Sequence, residues 1–308
     1  MIKILLAVGV WVALSGMTWA GFDEGLAAYE KEDYATALKE WKPLAEQGEA
    51  RAQFYLGVMH GDGKGVPQNA VEAARLHRLA AEQGAAEAQY NLGVIYDQGE
   101  GVAKDAVEAV RWYRLAAEQK YADAQYNLGV MYANGDGVPQ NAVEAVRWYR
   151  LAADQGVAQA QYNLGRMYYN GYGVPKNAVE AVRWYRLAAD QGVALAQGNL
   201  GWMYYNGDGV PKNAVEAMRW FRLVADQGDA PAQHYLGLMY YNGEGVPKNY
   251  VVAYGLLNLT SVDFAPVIQV RDALEKLMSV TQIEAGQALS MKLQSSDHFL
   301  QTLDEAAR

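Results

Sequence analysis

The chain has 308 residues, 51% of them apolar and 20% charged, with a formal net charge of −9. That balance excludes an intrinsically disordered chain, and the acidic surface argues against a nucleic-acid partner, because phosphate binding needs clustered Lys and Arg. The absence of cysteine excludes disulfides, zinc–thiolate sites and a lipidated cysteine.

Lys3 is followed by the apolar run "ILLAVGVWVAL" and then "SGMTWA", which ends on small Ala20. A basic start, a short apolar region and a small residue at the cleavage point predict a secretory signal peptide over 1–20. The run is shorter than the ~20 residues a membrane span needs, and no later stretch is longer. The mature chain is therefore expected to be exported, periplasmic or secreted, with no stable membrane span. Loss of Lys3, the only charge in the leader, takes the net charge from −9 to −10.

Residues 21–48 read as a helical hairpin with the short turn "KED". A repeat begins at 49. The pair Leu-Gly recurs at Leu56-Gly57, Leu92-Gly93, Leu128-Gly129, Leu164-Gly165, Leu200-Gly201 and Leu236-Gly237, always 36 residues apart. A fixed period of this length is the signature of a solenoid. Six units follow, at 49–84, 85–120, 121–156, 157–192, 193–228 and 229–262. Each splits into two helices: Ala124, Leu128 and Met131 fall at helical spacing in the first half of one unit, and Val143, Val146, Tyr149 and Ala153 in its second half.

The segment between the halves, as in "YYNGDGVPKNAVEA" from Tyr204, reads as a turn. Asn206 and Gly207 can end the first helix in the left-handed conformation, Gly209 lets the chain turn back, and Pro211 blocks continuation. Asn213 is placed to cap the second helix, with Glu216 completing a capping box. The same pair recurs as Asn69/Glu72, Asp105/Glu108, Asn141/Glu144 and Asn177/Glu180. Helices of about 12 to 14 residues are marginal alone, so they must stack. The glycine inside each first helix costs roughly 1 kcal/mol relative to Ala, which implies a neighbour too close for a Cβ. The Ala-rich second helix is the expected neighbour. Such hairpins build an all-α, right-handed α-solenoid. At 263–308, "VRDALEKLMSVTQIEAGQALSMKLQ" reads as closing helices, followed after Ser295 by a polar tail expected to fray.

The pattern "A-x-A-Q-x-x-L-G-x-M-Y-x-x-G-x-G-V-P-x-N-x-x-E-A-x-x-W-Y-x-x-A-A-x-Q-G" resembles the Sel-like repeat (SLR) family, relatives of the tetratricopeptide repeat with a longer loop in each hairpin. The first hairpin resembles a tetratricopeptide-type cap and the closing helices resemble those of SLR proteins. Two departures concern local geometry: Lys120 stands where other units end the second helix with Gly, and Ala103 replaces the loop proline. The resemblance implies a scaffold or adaptor of the cell envelope that binds protein or peptide partners. It also leaves open an envelope hydrolase acting on peptidoglycan or β-lactams, because cysteine-rich relatives are linked to such substrates.

From Arg51 to Val251 there is no Ser, Thr or Cys, so the array holds no Ser- or Cys-centred nucleophile. Ser295 and Ser296 beside His298 lie in the expected tail. His60, His77 and His234 occupy different phases of the repeat and form no metal row; each reads as a replacement for an aromatic packing residue. The acids between loop glycines, Asp136, Asp208, Glu100 and Glu244, supply one carboxylate per loop, too few for calcium. No phosphate loop is present. No cofactor is expected and no catalytic or metal-binding residue is assigned. Trp112, Trp148, Trp184 and Trp220 recur at one phase and read as packing residues rather than a glycan platform.

Binding residues are sought where the units differ. The residue after Leu-Gly is Val58, Val94, Val130, Arg166, Trp202 and Leu238. Three further on come Gly61, Asp97, Ala133, Tyr169, Tyr205 and Tyr241, and Tyr172 stands in its loop where acids are usual. The later units are thus enriched in Tyr, Trp and Arg, the residue types of interface hot spots. Arg166, Tyr169, Tyr172, Trp202, Tyr205 and Tyr241 are the expected partner-binding residues, with a glycan-binding module as the alternative use of these aromatics.

Overall fold

The computed structural model describes residues 21–260 and 265–308; the expected signal peptide lies outside them. Among the described residues all regular structure is helical. The chain forms two compact units, one ending at Val157 and one spanning Ala158–Arg308. In the first unit, a helix reaching residue 30 (α1) pairs with α2 (Tyr34–Glu46), and hairpins follow as α3 (Ala50–Asp62) with α4 (Ala70–Glu82), α5 (Ala86–Gln98) with α6 (Ala106–Glu118), and α7 (Ala122–Asn134) with α8 (Ala142–Asp154). In the second, α9 (Ala158–Asn170) pairs with α10 (Ala178–Asp190), α11 (Ala194–Asn206) with α12 (Ala214–Ala225), and α13 (Ala230–Asn242) with α14 (Tyr250–Thr260). Three helices close the unit: α15 (Ala265–Glu275), α16 (Val280–Ser295) and α17 (Phe299–Ala307). Each hairpin packs on the next in sequence order within its unit.

The loop glycines do two different things. The first ends the first helix in the left-handed region, with φ of +80° at Gly99 and +85° at Gly135, and its N–H bonds the carbonyl four residues back, as from Gly135 to Met131 at 2.9 Å. The second, equally left-handed, lies on the preceding hairpin: a Cβ on Gly101 would be 2.2 Å from the Ala70 carbonyl oxygen, and one on Gly137 2.2 Å from that of Ala106. The glycine-rich segment is therefore both a turn and an inter-hairpin contact.

The second helix starts as expected on one side only. Asn213 Oδ1 accepts from the N–H groups of Val215 and Glu216 at 3.1 Å, and Asn141 does the same with Val143 and Glu144. The reciprocal half of the expected capping box is missing there. The Asn213 N–H instead donates to the Tyr204 carbonyl at 2.9 Å, and Glu216 turns along its helix to Arg219 at 3.6 Å. A complete box forms at Ser279, whose side chain accepts from the Gln282 N–H while its own N–H donates to the Gln282 side chain.

At the end of the second helix, Gly84, Gly156, Gly192 and Gly228 adopt φ between +84° and +93°, and Lys120 is forced to +68° at the same phase. A non-glycine residue in this region carries a penalty of about 1 kcal/mol. Lys120→Gly is accordingly expected to stabilise the protein by about 1 kcal/mol, read as a higher urea midpoint; an unchanged or lower midpoint would show that the Lys120 side chain offsets its own backbone strain.

The glycine inside the first helix meets an aromatic ring in every unit but the last, where Gly237 meets Leu257, and not the alanine face that the sequence suggested. A Cβ on Gly93 would lie 2.6 Å from the Tyr113 ring, and on Gly129 2.7 Å from Tyr149. The alanines are buried at the same core, which contains Ala109, Ala116, Ala117 and Ala124. Val146, Tyr149 and Ala153 are buried as expected. Val143 is not: it is 64% exposed, because three residues of helix place it about 60° off Val146, on the solvent side of the first turn.

A buried glutamine joins successive hairpins. Gln125 donates to the Ala117 carbonyl at 3.0 Å and accepts from Gln155 of its own hairpin at 2.7 Å, and Gln89 repeats this with Ala81 and Gln119 at 3.1 and 2.8 Å. Each satisfies one of the terminal carbonyls that a helix leaves unpaired. The N-terminal hairpin closes the first unit with an aromatic cluster: Trp41, fully buried, stacks on Tyr55 at 4.8 Å and donates its indole N–H to the Phe22 carbonyl.

The segment after Ser295, expected as a frayed tail, is a docked helix in the second unit. Phe299 and Leu303 of α17 enter the core, Asp304 pairs with Arg222 at 2.8 Å, and the Leu300 N–H donates to Asp226 at 3.3 Å. Ser296 serves the start of this helix, bonding the His298 N–H and the Thr302 hydroxyl at 3.0 Å each.

Candidate partner-binding surface

The four tryptophans Trp112, Trp148, Trp184 and Trp220 are 4 to 6% exposed, so they are packing residues. An arginine covers each at the surface, as Arg147 does Trp148 at 4.9 Å. Among the described residues, no three His, Cys, Asp or Glu side chains gather as a metal site, and no helix is long and apolar enough to cross a membrane.

All six residues expected to bind a partner lie in the second unit. Tyr169, near the end of α9, sets its ring edge-on to Trp202 of α11, with centroids 6.0 Å apart and planes at 89°. Lys176 lies over the Tyr169 ring at 5.4 Å. Burial, reinforced by Asp208 of the next loop, raises the Tyr169 hydroxyl pKa. Tyr205 repeats this arrangement one unit later: Lys212 stands 5.3 Å over its ring and pairs with Glu244 of the following loop at 3.4 Å. Burial and the Glu244 carboxylate hold the Tyr205 hydroxyl up at about 12. Tyr241 packs on Tyr250 at 6.0 Å.

These tyrosines are half-buried, and each of Tyr169 and Tyr205 ties its hairpin to the loop of the next. Arg166 and Tyr172 are the exposed members. The Arg166 guanidinium lies over the Tyr162 ring at 5.8 Å, and Tyr172 is 61% exposed. Tyr169, Tyr185, Asn199, Trp202 and Met203 line a pocket of about 250 Å³. At its edge Asn199 bonds the buried Tyr185 hydroxyl, whose pKa burial raises. The surface thus offers a small aromatic pocket flanked by a cationic side chain.

Reading residues by phase in the sequence finds Tyr169, Trp202 and Tyr205 but not what holds them. The loop acids, dismissed as calcium ligands, are the partners of the tyrosines, and the signal was their spacing of 39 residues from Tyr169 to Asp208 and from Tyr205 to Glu244. A second unread signal is Gly198, which stands where other units have an aromatic such as Tyr126 or Tyr162. Those rings tilt onto Tyr149 and Tyr185 at 6.0 and 5.9 Å. A Cβ on Gly198 would meet nothing within 4 Å, and Phe221 instead stacks on Tyr235 of the following hairpin at 4.9 Å.

A family model described as the Sel1 repeat matches residues 50–84, 86–121, 122–157, 158–193, 194–229 and 230–259. Among solved structures, the chain is similar to a Sel1 repeat protein from Oxalobacter formigenes, at 36% identity and a TM-score of 0.68 over 74% of this chain and 93% of that one. It is also similar to a protective antigen present in uropathogenic Escherichia coli strains that displays an SLR fold, at 27% identity and a TM-score of 0.50 over 95% of this chain and 87% of that one. No curated protein matches the chain significantly.

Proposed function

Because the chain belongs to the Sel1 repeat family, whose fold is in general a protein-interaction scaffold, we propose that it is an exported, non-catalytic scaffold or adaptor that captures a protein or peptide partner on the aromatic surface of its second unit. The leader-like start at 1–20 supports export to the periplasm or medium. The observation that carries the binding reading is the pocket walled by Tyr169 and Trp202, with Arg166 close by. Aromatic walls beside one arginine are the composition of interface hot spots, and the Asp208 contact restrains the Tyr169 wall before a partner arrives, which limits the ordering cost of association.

Photo-cross-linking in the intact envelope, followed by mass spectrometry, identifies the partner. Trp202→Ala and Arg166→Ala are each expected to weaken its capture at least about tenfold, equivalent to about 1.4 kcal/mol, with the helical circular dichroism unchanged. Equal capture by both variants and the native chain would remove this surface from the assignment. Turnover of peptidoglycan or a β-lactam reporter, abolished by a single substitution, would overturn the non-catalytic reading.

A further inference from the structure

The cleft that Tyr169 narrows in the second unit has a counterpart in the first, and there it stands open. Three repeats before Tyr169, Asn199, Trp202 and Asp208 come Gly61, Asn91, Val94 and Glu100. Gly61, His77, Asn91, Val94, Ile95 and Glu100 line a pocket of about 490 Å³, roughly twice the volume of its counterpart. Of the three rings that line the second-unit cleft, Tyr169 and Trp202 give way here to Gly61 and Val94, and Tyr185 to His77. Other groups around the second-unit tyrosine have counterparts: Asn91 at the inner wall, Val94 as an apolar wall, and the Glu100 carboxylate on the next loop. The lysine that covers the ring is replaced by Gln68, whose amide is tied to the Gly61 carbonyl at 2.8 Å. At the base, His77 is 4% exposed and its Nδ1 has no hydrogen-bond partner.

Gly61 is not required by the backbone or by packing. It lies within α3, outside the left-handed region, and a Cβ there would meet only the Ala73 Cβ at an ordinary 3.8 Å. A glycine inside a helix costs roughly 1 kcal/mol relative to Ala. Its effect at this position is to keep a ring out of the pocket. The chain itself shows what the pocket accepts, because Tyr169 occupies the same phase and aims its hydroxyl at the next loop's acid.

We propose that the first-unit pocket receives a tyrosine side chain from a partner polypeptide, its ring lying where Tyr169 lies in the second unit and its hydroxyl donating to the Glu100 carboxylate. A phenol fits better than a plain ring because a hydroxyl donating to a carboxylate makes a charge-assisted bond. Only the source of the ring rests on the scaffold reading above; the pocket's preference for a phenol does not.

The test uses the full chain, methyl-labelled, with p-cresol as the side-chain probe and toluene as the ring without the hydroxyl. p-Cresol is expected to shift the Val94 and Ile95 methyl signals saturably, at least fivefold more tightly than toluene. Glu100→Ala should shrink that preference at least twofold. Gly61→Tyr, which supplies the ring from within, should abolish the shifts while melting no lower than the native chain, and Trp202→Ala should leave them intact. Methyl signals that do not move, that move equally in Gly61→Tyr, or that respond equally to toluene would overturn the pocket. A capped pentapeptide with a central tyrosine should bind more tightly than p-cresol and than its phenylalanine analogue; a peptide no tighter than p-cresol would overturn the polypeptide source alone.

Discussion

Gly137→Ala is expected to lower the unfolding free energy by about 2–5 kcal/mol. Two costs add at this position. The residue sits at φ +67°, where a side chain carries a strain of about 1–2 kcal/mol. Its Cβ would also lie 2.2 Å from the Ala106 carbonyl oxygen and 2.9 Å from the Val107 nitrogen. Those atoms belong to the start of α6 and cannot rotate away as a side chain would, so the loop must lift off the preceding hairpin; overpacking of this kind costs about 1–3 kcal/mol more. Gly156→Ala is the control, since Gly156 has φ +93° but nothing within 4 Å of its Cβ. It should lose only the backbone strain, about 1 kcal/mol. Urea midpoints of the two variants check the ranking, and equal losses would show that the loop–hairpin contact contributes nothing. Because repeat stability is carried by nearest-neighbour interfaces, hydrogen exchange in Gly137→Ala should quicken first where the α5–α6 and α7–α8 hairpins meet.

That contact marks the boundary of what the sequence reveals. Period, hairpin and turn follow from local rules: glycine, proline and asparagine at fixed offsets have few backbone alternatives, and a 36-residue recurrence multiplies each signal six times. Partners across the repeat follow no local rule. The ring facing Gly129 is Tyr149, twenty residues away, and nothing local distinguishes it from the alanines beside it. The capping box failed at Asn213 for the same reason: the Tyr204 carbonyl, nine residues earlier, outcompetes the Glu216 carboxylate for its N–H. The tail after Ser295 looks polar when read linearly, yet Phe299 and Leu303 are four apart and give α17 one apolar stripe, enough to dock against a core the linear reading does not see. Among the candidate binding residues, phase analysis located the aromatics, whereas the carboxylates and lysines that immobilise them became evident only once neighbouring hairpins were stacked.

Acid should destabilise the native chain more than a His77→Tyr variant, by about 3 kcal/mol between pH 6.5 and pH 4. His77 occupies the phase of Tyr113, Tyr149 and Tyr185 and packs edge-on to Phe54 at 5.5 Å. Burial disfavours its charged form and lowers its pKa from 6.5 to about 4. Between those two values the unfolded chain binds a proton at this site and the folded chain does not, so stability rises with pH across the window. The contribution is complete above about pH 6.5 and is lost progressively as pH falls toward 4; a separation of about 2.5 units at 1.36 kcal/mol each gives the figure. Tyrosine at this position has no charge to acquire in that range, and Asn91 lies in the same pocket, at the phase from which Asn127 bonds Tyr113 and Asn199 bonds Tyr185. The variant is therefore expected to fold, to gain the hydroxyl–amide bond its sibling repeats have, and to show a flatter stability profile in urea titrations from pH 7 to pH 4. Parallel profiles for the two proteins would mean that the imidazole is already charged, or reaches water, in the folded state. The Nδ1 without a partner would then need another explanation.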